Sequence, residues 1–270
     1  MVQSGRNLII VRRQSPDWST IDLETFASQS RAFCKALSFP PDLVSEMVGL
    51  WDATFNVPYF QVRQQMKVIA SDNLAGLENA VLLENDALIT NELPSNVWVS
   101  FVDDDDWFRP DMWRFFPSPS DLDAVIWRHS GFGKPGPDAV ILHSETGHVY
   151  TNNYAVTANY LRAHGSASVF QHWEADATLS ACRVARLPSV LSMTNKHPAS
   201  ALSLRRIGLS LDPQQRMGDL ISEYNRRTAI LECPQEAIWA LPMIRRVRSY
   251  FEALFVDNWG VREHRVVRQI

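Results

Sequence analysis

Four consecutive aspartates, residues 103–106, are the part of this chain best suited to chemistry. Like charges in a row repel one another, so they do not all sit ionised in a packed core without compensation. Carboxylates gathered in one loop are the hard oxygen ligands that Mg²⁺ and Mn²⁺ prefer. A divalent ion there would relieve the repulsion and could bind a diphosphate. The competing interpretation is a solvated surface loop, which is what most acidic runs form.

Two flanking segments favour the metal interpretation. Residues 97–102 alternate as a strand does, and Pro110 followed by residues 111–116 is typical of a helix start. A carboxylate cluster between the end of a strand and the start of a helix is the arrangement expected of a metal–phosphate site. We therefore expect the acidic run to bind a metal ion and a diphosphate.

The segment Phe-Val-Asp-Asp-Asp-Asp-Trp-Phe-Arg-Pro, residues 101–110, resembles the segment that carries the Asp-X-Asp motif in GT-A-fold glycosyltransferases. By position, Asp103 and Asp105 correspond to the Asp-X-Asp pair, and Asp106 corresponds to the extra acid that usually follows. The resemblance is specific to this segment and loose elsewhere. It implies a GT-A-like fold, a nucleotide-sugar donor and Mn²⁺ or Mg²⁺ as cofactor. It also implies that these three acids ligate the metal, with Asp103 beside the bound donor.

The same resemblance points to a second group of residues, in the polar loop 194–200. Several GT-A enzymes supply a late histidine as an additional metal ligand, and His197 is similar in placement. A lone histidine is more often a surface or satisfied residue, which is the alternative. Lys196 is a candidate for contacting the donor diphosphate as a point charge. Arg205 and Arg206 are candidates for the same role.

Two acids and one polar run are further candidates. In inverting GT-A enzymes an acid at the start of a late helix takes the proton from the acceptor hydroxyl, and Glu174 or Asp176 could fill that catalytic role. Acids in a first helical turn are also favoured by the helix dipole alone. Residues 147–154 combine amide and aromatic side chains that suit a sugar. A turn explains the same residues and is the interpretation we favour.

Length and composition describe an ordinary globular protein. The chain has 270 residues, 46% hydrophobic and 21% charged, which suits one large or two small domains. Its net charge of −4 gives no general attraction to nucleic acid, and we expect no nucleic-acid partner. Cysteines at positions 34, 182 and 233 have the spacing of neither a zinc site nor a disulfide framework, which fits a reducing cytoplasm. No apolar run reaches the about 18 residues of a membrane span, and the N-terminus lacks a signal-peptide core, so a cytoplasmic location is predicted.

Hydrophobic periodicity predicts alternating strands and helices, and hence an α/β fold with a mixed sheet flanked by helices. The predicted strands are 8–11, 97–102, 123–127 and 139–143. The predicted helices are 21–37, 43–51, 72–83 with Ser71 or Asp72 as its cap, 166–182, 212–225 and 234–255. Residues 59–70 fit either type, and 151–163 are expected to begin as a loop and become a helix. We expect one globular unit, in which residues 1–210 form the GT-A-like nucleotide-sugar-binding and catalytic domain and 211–270 a helical extension packed on it.

The C-terminal segment is rich in arginine and in aromatic residues. Its arginines are at positions 245, 246, 248, 262, 265 and 268. Such a segment can lie on an anionic membrane surface, which would suit a lipid-linked acceptor and a location at the inner face of the membrane. The alternative is a helix packed on the core. We favour it because Glu252, Asp257 and Glu263 interrupt the positive face.

The acidic run and the resemblance lead us to expect a metal-dependent glycosyltransferase of the hexosyltransferase class (EC 2.4 type). It would move a sugar from a nucleotide-sugar to a glycan or another hydroxyl acceptor. One alternative is a metal-dependent phosphohydrolase or nucleotidyltransferase, which needs acids from several strands. Its scattered candidates are Asp86, Asp121, Asp123 and Asp138. The other alternative is a non-catalytic cation- or carbohydrate-binding protein, which would bind ligand without turnover.

Overall fold

The computed structural model of the protein describes residues 8–13, 59–84, 93–132, 140–142, 149, 152–165, 179–197 and 233–259. The helices predicted at 21–37, 43–51 and 212–225 lie outside the described residues, as does most of the one predicted at 166–182. The site candidates Glu174, Asp176, Arg205 and Arg206, and the scattered acids Asp86 and Asp138, also lie outside them.

The described part of the chain contains eight strands and three α-helices. The strands are β1 (Leu8–Arg13), β2 (Ala80–Glu84), β3 (Trp98–Asp103), β4 (Trp107–Phe108), β5 (Ala124–Phe132), β6 (Val140–Leu142), β7 (Tyr154–Thr157) and β8 (Val184–Asn195). The α-helices are α1 (Tyr59–Ala75), α2 (Ala158–His164) and α3 (Leu241–Trp259). Short 3₁₀ helices span Met112–Phe115, Pro119–Asp121 and Gln235–Ala240.

All eight strands belong to one mixed sheet, in the order β2-β1-β3-β7-β5-β8-β4, with β6 paired to β5. β1 pairs in parallel with β2 and β3, and β5 pairs in parallel with β8. β7 runs antiparallel between β3 and β5, while β4 and β6 run antiparallel to β8 and β5. The predicted α/β class with a mixed sheet is therefore confirmed.

The carboxyl ends of the parallel strands all lie at the same end of the sheet, which we call the carboxyl edge. Asp103 at the end of β3 stands beside Arg13 of β1, and Asn195 at the end of β8 stands beside Phe132 of β5. The strand order reverses between β1 and β3, because the chain passes from β1 out to β2 and returns past β1 to β3. In open α/β sheets ligands bind in the crevice at such a reversal. The acidic run leaves β3 at this point.

Apolar side chains cover both faces of the sheet. Alternate residues of each strand enter opposite clusters, so that Ile9 and Val11 of β1 belong to one cluster and Leu8 and Ile10 to the other. The first cluster includes buried residues of α2, and the second includes Leu74 of α1. α2 therefore packs on one face of the sheet and α1 on the other, and the parallel strands are buried on both faces.

Helix α1 is held against the sheet by an apolar stripe and by one asparagine. Val62, Met66 and Ile69 recur at helical spacing and are fully buried. Asn73 donates from its side-chain nitrogen to the Phe108 carbonyl (2.9 Å) and accepts from the Phe108 N–H (2.8 Å). The Asn73 side chain thus pairs with β4 as a neighbouring strand would. This contact ties α1 to the strand that follows the acidic run.

The prediction of a helix at 72–83 is wrong. Ser71 and Asp72 lie inside α1 rather than capping a new helix, and strand β2 follows α1. α1 ends at Ala75, where the Gly76 N–H is shared between the Asp72 and Asn73 carbonyls at 3.3 and 3.1 Å. Asn79 then adopts a positive φ of 51°, which a continuing helix excludes. The apolar run after it pairs with β1, and this tertiary pairing outweighs its helix propensity.

The segment 151–163 contains a strand that was not predicted. β7 forms there, before α2, because its four side chains are all buried and its backbone pairs with both β3 and β5. The helix predicted at 234–255 is divided into a 3₁₀ turn and α3, and the helix start at 111–116 is a 3₁₀ turn. The predicted strands are confirmed, with shifted ends, as β1, β3, β5 and β6, and the ambiguous segment is helical.

Helix α3 packs its apolar face against the rest of the protein. Ile244, Val247 and Phe251 are buried, which agrees with the core-packing alternative for this part of the segment. On the surface, Arg246 pairs with Asp72 of α1 at 2.7 Å. None of the described helices is long and apolar enough to cross a membrane.

Candidate functional site

The acidic run forms a tight turn between β3 and β4. The Asp106 N–H donates to the Asp103 carbonyl at 3.3 Å, which closes the turn. Asp103 is half-buried, whereas Asp104, Asp105 and Asp106 are only 3%, 8% and 3% exposed. The run is therefore not a solvated loop. Buried carboxylates need compensation from donors and cations nearby.

Asp104 faces two cations of α1. Lys67 Nζ lies 2.9 Å from Asp104 Oδ2, and Arg63 Nη2 lies 3.4 Å from Asp104 Oδ1. Arg63 and Lys67 are four residues apart, so they share one face of the helix. Asp104 thereby connects α1 to the turn.

Asp105 contacts the histidine that was predicted as a metal ligand. His197 Nε2 lies 3.1 Å from Asp105 Oδ2, and Arg63 Nη1 lies 3.6 Å from the same oxygen. Burial alone raises the pKa of Asp105, but the His197 hydrogen bond and the Arg63 charge outweigh it and hold that pKa below its usual range. Burial lowers the pKa of His197 against the opposing influence of Asp105. Asp105 and His197 therefore form a buried hydrogen-bonded pair.

Asp106 turns to a different set of partners. Its Oδ2 accepts from the Asn152 side-chain amide at 2.9 Å, and its Oδ1 accepts from the Asn195 N–H at 2.9 Å. Burial raises the pKa of Asp106 well above its usual value, and the neighbouring Asp105 charge raises it further. Asp106 therefore joins the turn to the chain just before β7 and to the end of β8, two residues before His197.

Metal binding at the acidic run would need ligands from outside the described residues. His197 Nε2 and Asp105 Oδ2 share a 3.1 Å hydrogen bond, which an ion bound by both atoms would replace. Within the described residues, no three His, Cys, Asp or Glu side chains form a group that could hold an ion alone. Mg²⁺ is commonly bound by one or two carboxylates plus substrate phosphates, so an ion here would depend on a diphosphate for the rest of its ligands.

Asn152 and Asn195, which both donate to Asp106, also have buried side-chain oxygens. Asn152 Oδ1 and Asn195 Oδ1 have no hydrogen-bond partner among the described residues, and the two side chains are 0% and 1% exposed. A buried acceptor without a donor costs about 1–3 kcal/mol. Oxygens of this kind suit a hard cation or a bridging water.

Positive charge surrounds the acidic run at the carboxyl edge. Lys196, predicted to contact a diphosphate, is half-buried here, and its charge acts on both Asp105 and Asp106. Arg12, near the end of β1, donates to Ser71 of α1. Cations and carboxylates are thus both present at the carboxyl edge, which suits a ligand carrying both a metal ion and phosphates.

The structure brings together the residues predicted from the acidic run and from the polar loop. Five of these residues lie together at the carboxyl edge, where β3 and β8 both end. They are Asp103, Asp105, Asp106, Lys196 and His197. The predicted catalytic acids and Arg205 lie outside the described residues, so their roles stay predictions.

Four further residues of the site were missed in the sequence. Arg63 and Lys67 belong to a segment that fitted either a helix or a strand, and only the helix places both on one face. Asn152 lies in the polar run 147–154, where the turn interpretation was favoured. Asn195 contributes its backbone N–H, which carries no signal in the sequence.

Comparison of the chain with protein-family models, with curated proteins and with solved structures finds no match. No family therefore follows from similarity to a known protein. The function has to be inferred from the carboxyl edge of the sheet itself.

Proposed function

We propose that the protein is a metal-dependent glycosyltransferase that moves a sugar from a nucleotide-sugar donor to a glycan or another hydroxyl acceptor. The observation that carries the proposal is the acidic run at the reversal of the strand order, with Asp105 in contact with His197. Nucleotides bind at such reversals in α/β sheets. The finer assignment of the mixed sheet to a GT-A-like fold belongs to the same proposal and is supported by the resemblance of residues 101–110.

In the proposed complex, Asp103 and Asp105 hold Mn²⁺ or Mg²⁺ against the donor diphosphate, and His197 completes the protein's share of the ligands. Asp103 suits this role because it is the most exposed of the four aspartates. When bound, the ion supplies charge stabilisation to the leaving nucleoside diphosphate.

Other residues of the site prepare these ligands. Asp104 and Lys67 keep α1 beside the turn through their 2.9 Å ion pair. Asp106 holds the end of β8 and thereby positions His197. Because both oxygens of Asp106 accept hydrogen bonds from protein donors, we assign it a positioning role rather than a place among the ligands. Lys196 meets the phosphate oxygens as a point charge.

Removal of the proton from the acceptor hydroxyl needs a general base, which the resemblance places at the start of a late helix. Glu174 and Asp176 are the candidates, on the strength of the resemblance alone. The acceptor would be a glycan or a lipid-linked molecule. A carboxylate in that position would need a pKa matched to proton removal near neutral pH.

The phosphohydrolase or nucleotidyltransferase alternative needs a second group of acids near the acidic run. Asp121 and Asp123, two of its candidates, lie at the amino end of β5, which is the opposite side of the sheet. Asp123 there pairs with Arg183 at 3.0 Å. These two acids therefore do not support a two-metal centre.

The proposal is tested by a thermal-shift screen of nucleoside diphosphates with and without Mn²⁺. We expect one nucleoside diphosphate to raise the unfolding temperature only when Mn²⁺ is also present, because each completes the binding site of the other. The matching nucleotide-sugars are then incubated with candidate acceptors and Mn²⁺, and release of nucleoside diphosphate is measured together with sugar transfer. The proposal is wrong if no nucleoside diphosphate stabilises the protein in the presence of Mn²⁺.

The same material separates the alternatives. Simple phosphate esters are incubated with the protein and Mn²⁺, and free phosphate is measured. Phosphate release without sugar transfer would replace the glycosyltransferase by a phosphohydrolase. Binding of a nucleotide-sugar without sugar transfer or phosphate release would favour the non-catalytic binding protein.

A further inference from the structure

The acidic run joins two strands that are not neighbours in the sheet. β3 has the third place in the strand order and β4 the seventh, and only Asp104, Asp105 and Asp106 lie between them in the chain. Four strand spacings of about 4.8 Å would put these strands about 19 Å apart in a flat sheet. Four residue steps reach at most about 14 Å. The sheet is therefore curled, and the acidic run crosses its carboxyl edge.

The C-terminal end of α1 contacts both sides of this curled sheet. Ser71 accepts a hydrogen bond from Arg12, near the end of β1. Asn73, two residues later, exchanges two hydrogen bonds with Phe108 of β4. β1 has the second place in the strand order and β4 the seventh, so one end of a single helix bridges two distant strands.

The contact of Asn73 fixes the helix most closely. Its side chain is buried and uses a donor and an acceptor, at 2.9 and 2.8 Å, on the carbonyl and the N–H of one residue, Phe108. A slide of the helix by one turn, about 5.4 Å, would break both bonds. It would also leave two buried backbone groups without partners. The Asn73 contact therefore sets the position of α1 along its own axis.

The cations of the site lie on the same helix. Lys67 is six residues before Asn73, which is about 9 Å along the axis, and its Nζ lies 2.9 Å from Asp104 Oδ2. Arg63 is one turn further on, and its Nη2 lies 3.4 Å from Asp104 Oδ1. Helix α1 thus meets the acidic run through ion pairs, and β4 directly after it through a neutral contact. Because the helix is rigid, the neutral contact also determines where the cations lie.

We propose that Asn73 is a positioning residue of the site, which holds Arg63 and Lys67 against Asp104 through its two hydrogen bonds to Phe108. The cations are then in place before any ligand binds, as a preorganised site requires. This inference goes beyond the proposed function and does not rest on it, because all the contacts that carry it lie within the protein.

The test is the substitution N73L, with the reactivity of Lys67 as the readout. Leucine has nearly the shape of asparagine but forms neither hydrogen bond with Phe108. The chain has four lysines, so trace acetylation with acetic anhydride followed by peptide mass spectrometry measures each of them. We expect Lys67 to be acetylated about tenfold faster in N73L, because the loss of two hydrogen bonds raises the fraction of molecules in which α1 has moved off the acidic run. Lys196, which follows β8, is the internal reference and should keep its rate.

Three further variants control the measurement. T157V removes the hydroxyl that caps α2 on the other face of the sheet, and it controls for a general loss of stability. D72N breaks the surface ion pair between α1 and α3, next to Asn73 in the chain. We expect the wild-type rate for Lys67 in both. N73S keeps a hydroxyl for one of the two bonds, so its rate should lie between those of the wild type and N73L. It also answers the case in which N73L does not fold.

The outcomes separate this inference from the proposed function. The role of Asn73 is overturned if Lys67 is acetylated no faster in N73L and N73S than in the wild type. An equal rise in T157V also overturns it, since reactivity would then follow overall stability. If no nucleoside diphosphate stabilises the wild type in the presence of Mn²⁺, the proposed function fails, and the acetylation of Lys67 still decides the role of Asn73.

Discussion

The two ends of the parallel strands carry the same kind of ion pair in opposite surroundings. At the amino ends of β5 and β8, Asp123 and Arg183 are joined by side-chain contacts of 3.0 and 3.2 Å on the surface. At the carboxyl edge, Lys67 and Asp104 lie 2.9 Å apart with side chains only 14% and 4% exposed. Distance does not separate these pairs, but burial does. A surface pair mainly exchanges water for a partner, whereas a buried charge depends on its partner to remain ionised.

The largest effect is expected from breaking the buried pair. K67M leaves the Asp104 carboxylate without its shortest cation contact, and we expect the free energy of unfolding to fall by about 3 kcal/mol. Urea unfolding followed by circular dichroism measures this change. R183M is the matched variant at the amino ends, where we expect no resolvable change. Equal losses of unfolding free energy in K67M and R183M would mean that burial does not separate the two ion pairs.

The next effect concerns binding rather than stability. D105N removes the charge that faces His197 and the proposed ion, and we expect the affinity for nucleoside diphosphate in saturating Mn²⁺ to fall by about 100-fold. Calorimetric titration measures the change, with D123N as the acid-to-amide control at the other end of the strands. Unchanged binding by D105N would show that Asp105 belongs to the packing of the turn and to nothing else.

The third effect concerns Asp106, the neighbour of Asp105 in the turn. D106A leaves the Asn195 N–H without its acceptor and should cost about 2 kcal/mol of unfolding free energy, whereas D106N keeps an acceptor oxygen and should cost less. The raised pKa of Asp106 adds a dependence on pH. Between the unfolded pKa of about 3.9 and the folded pKa, the folded state holds the proton, so wild-type stability falls as the pH rises through that interval.

D106N cannot lose that proton, and its stability relative to the wild type should increase from pH 5 to pH 8. Urea unfolding at both pH values, in the presence of a metal chelator, measures the difference. A relative stability that stays constant or decreases would mean that Asp106 is ionised in the folded protein.

The smallest effect belongs to the exposed pair. The hydrogen bond from the Arg183 side chain lowers the pKa of Asp123, so the pair stabilises the protein above pH about 3.9, and this contribution is lost as the pH falls through the folded pKa. Solvent screening keeps it small. We expect D123N to shift the unfolding temperature at pH 7 by about 1 °C or less, and calorimetry at pH 7 and pH 3 tests this. A shift of several degrees would mean that the Asp123–Arg183 pair stabilises the protein as strongly as a buried pair does.

The strand and the turn that carry the acidic run could be predicted because their signals are local. Residues 97–102 are apolar except for Ser100, since β3 is covered on both faces, and the charged run marks where the strand ends. His197 and Lys196 could be found because they follow the apolar segment that forms β8. The strand and the turn needed only the period of the pattern and the chemistry of single residues, whereas His197 also needed the resemblance of residues 101–110.

The partners of each carboxylate could not be predicted because they come from distant parts of the chain. Asp106 is bound by residues 46 and 89 positions away, and one of these donors is a backbone N–H. Arg63 and Lys67 reach Asp104 only after α1 has packed against β4. The error at 72–83 has the same origin, because pairing with β1 makes a strand of residues whose local pattern favoured a helix.

The contact between Asn73 and β4 also affects how copies of the protein behave towards one another. β4 lies at the end of the strand order, and the outer strand of a sheet offers unpaired N–H and carbonyl groups to any other chain in solution. Asn73 occupies both groups of Phe108, so this short strand has no free hydrogen-bonding position there for a second molecule. The helix that carries the cations of the site therefore also blocks edge-to-edge pairing at β4.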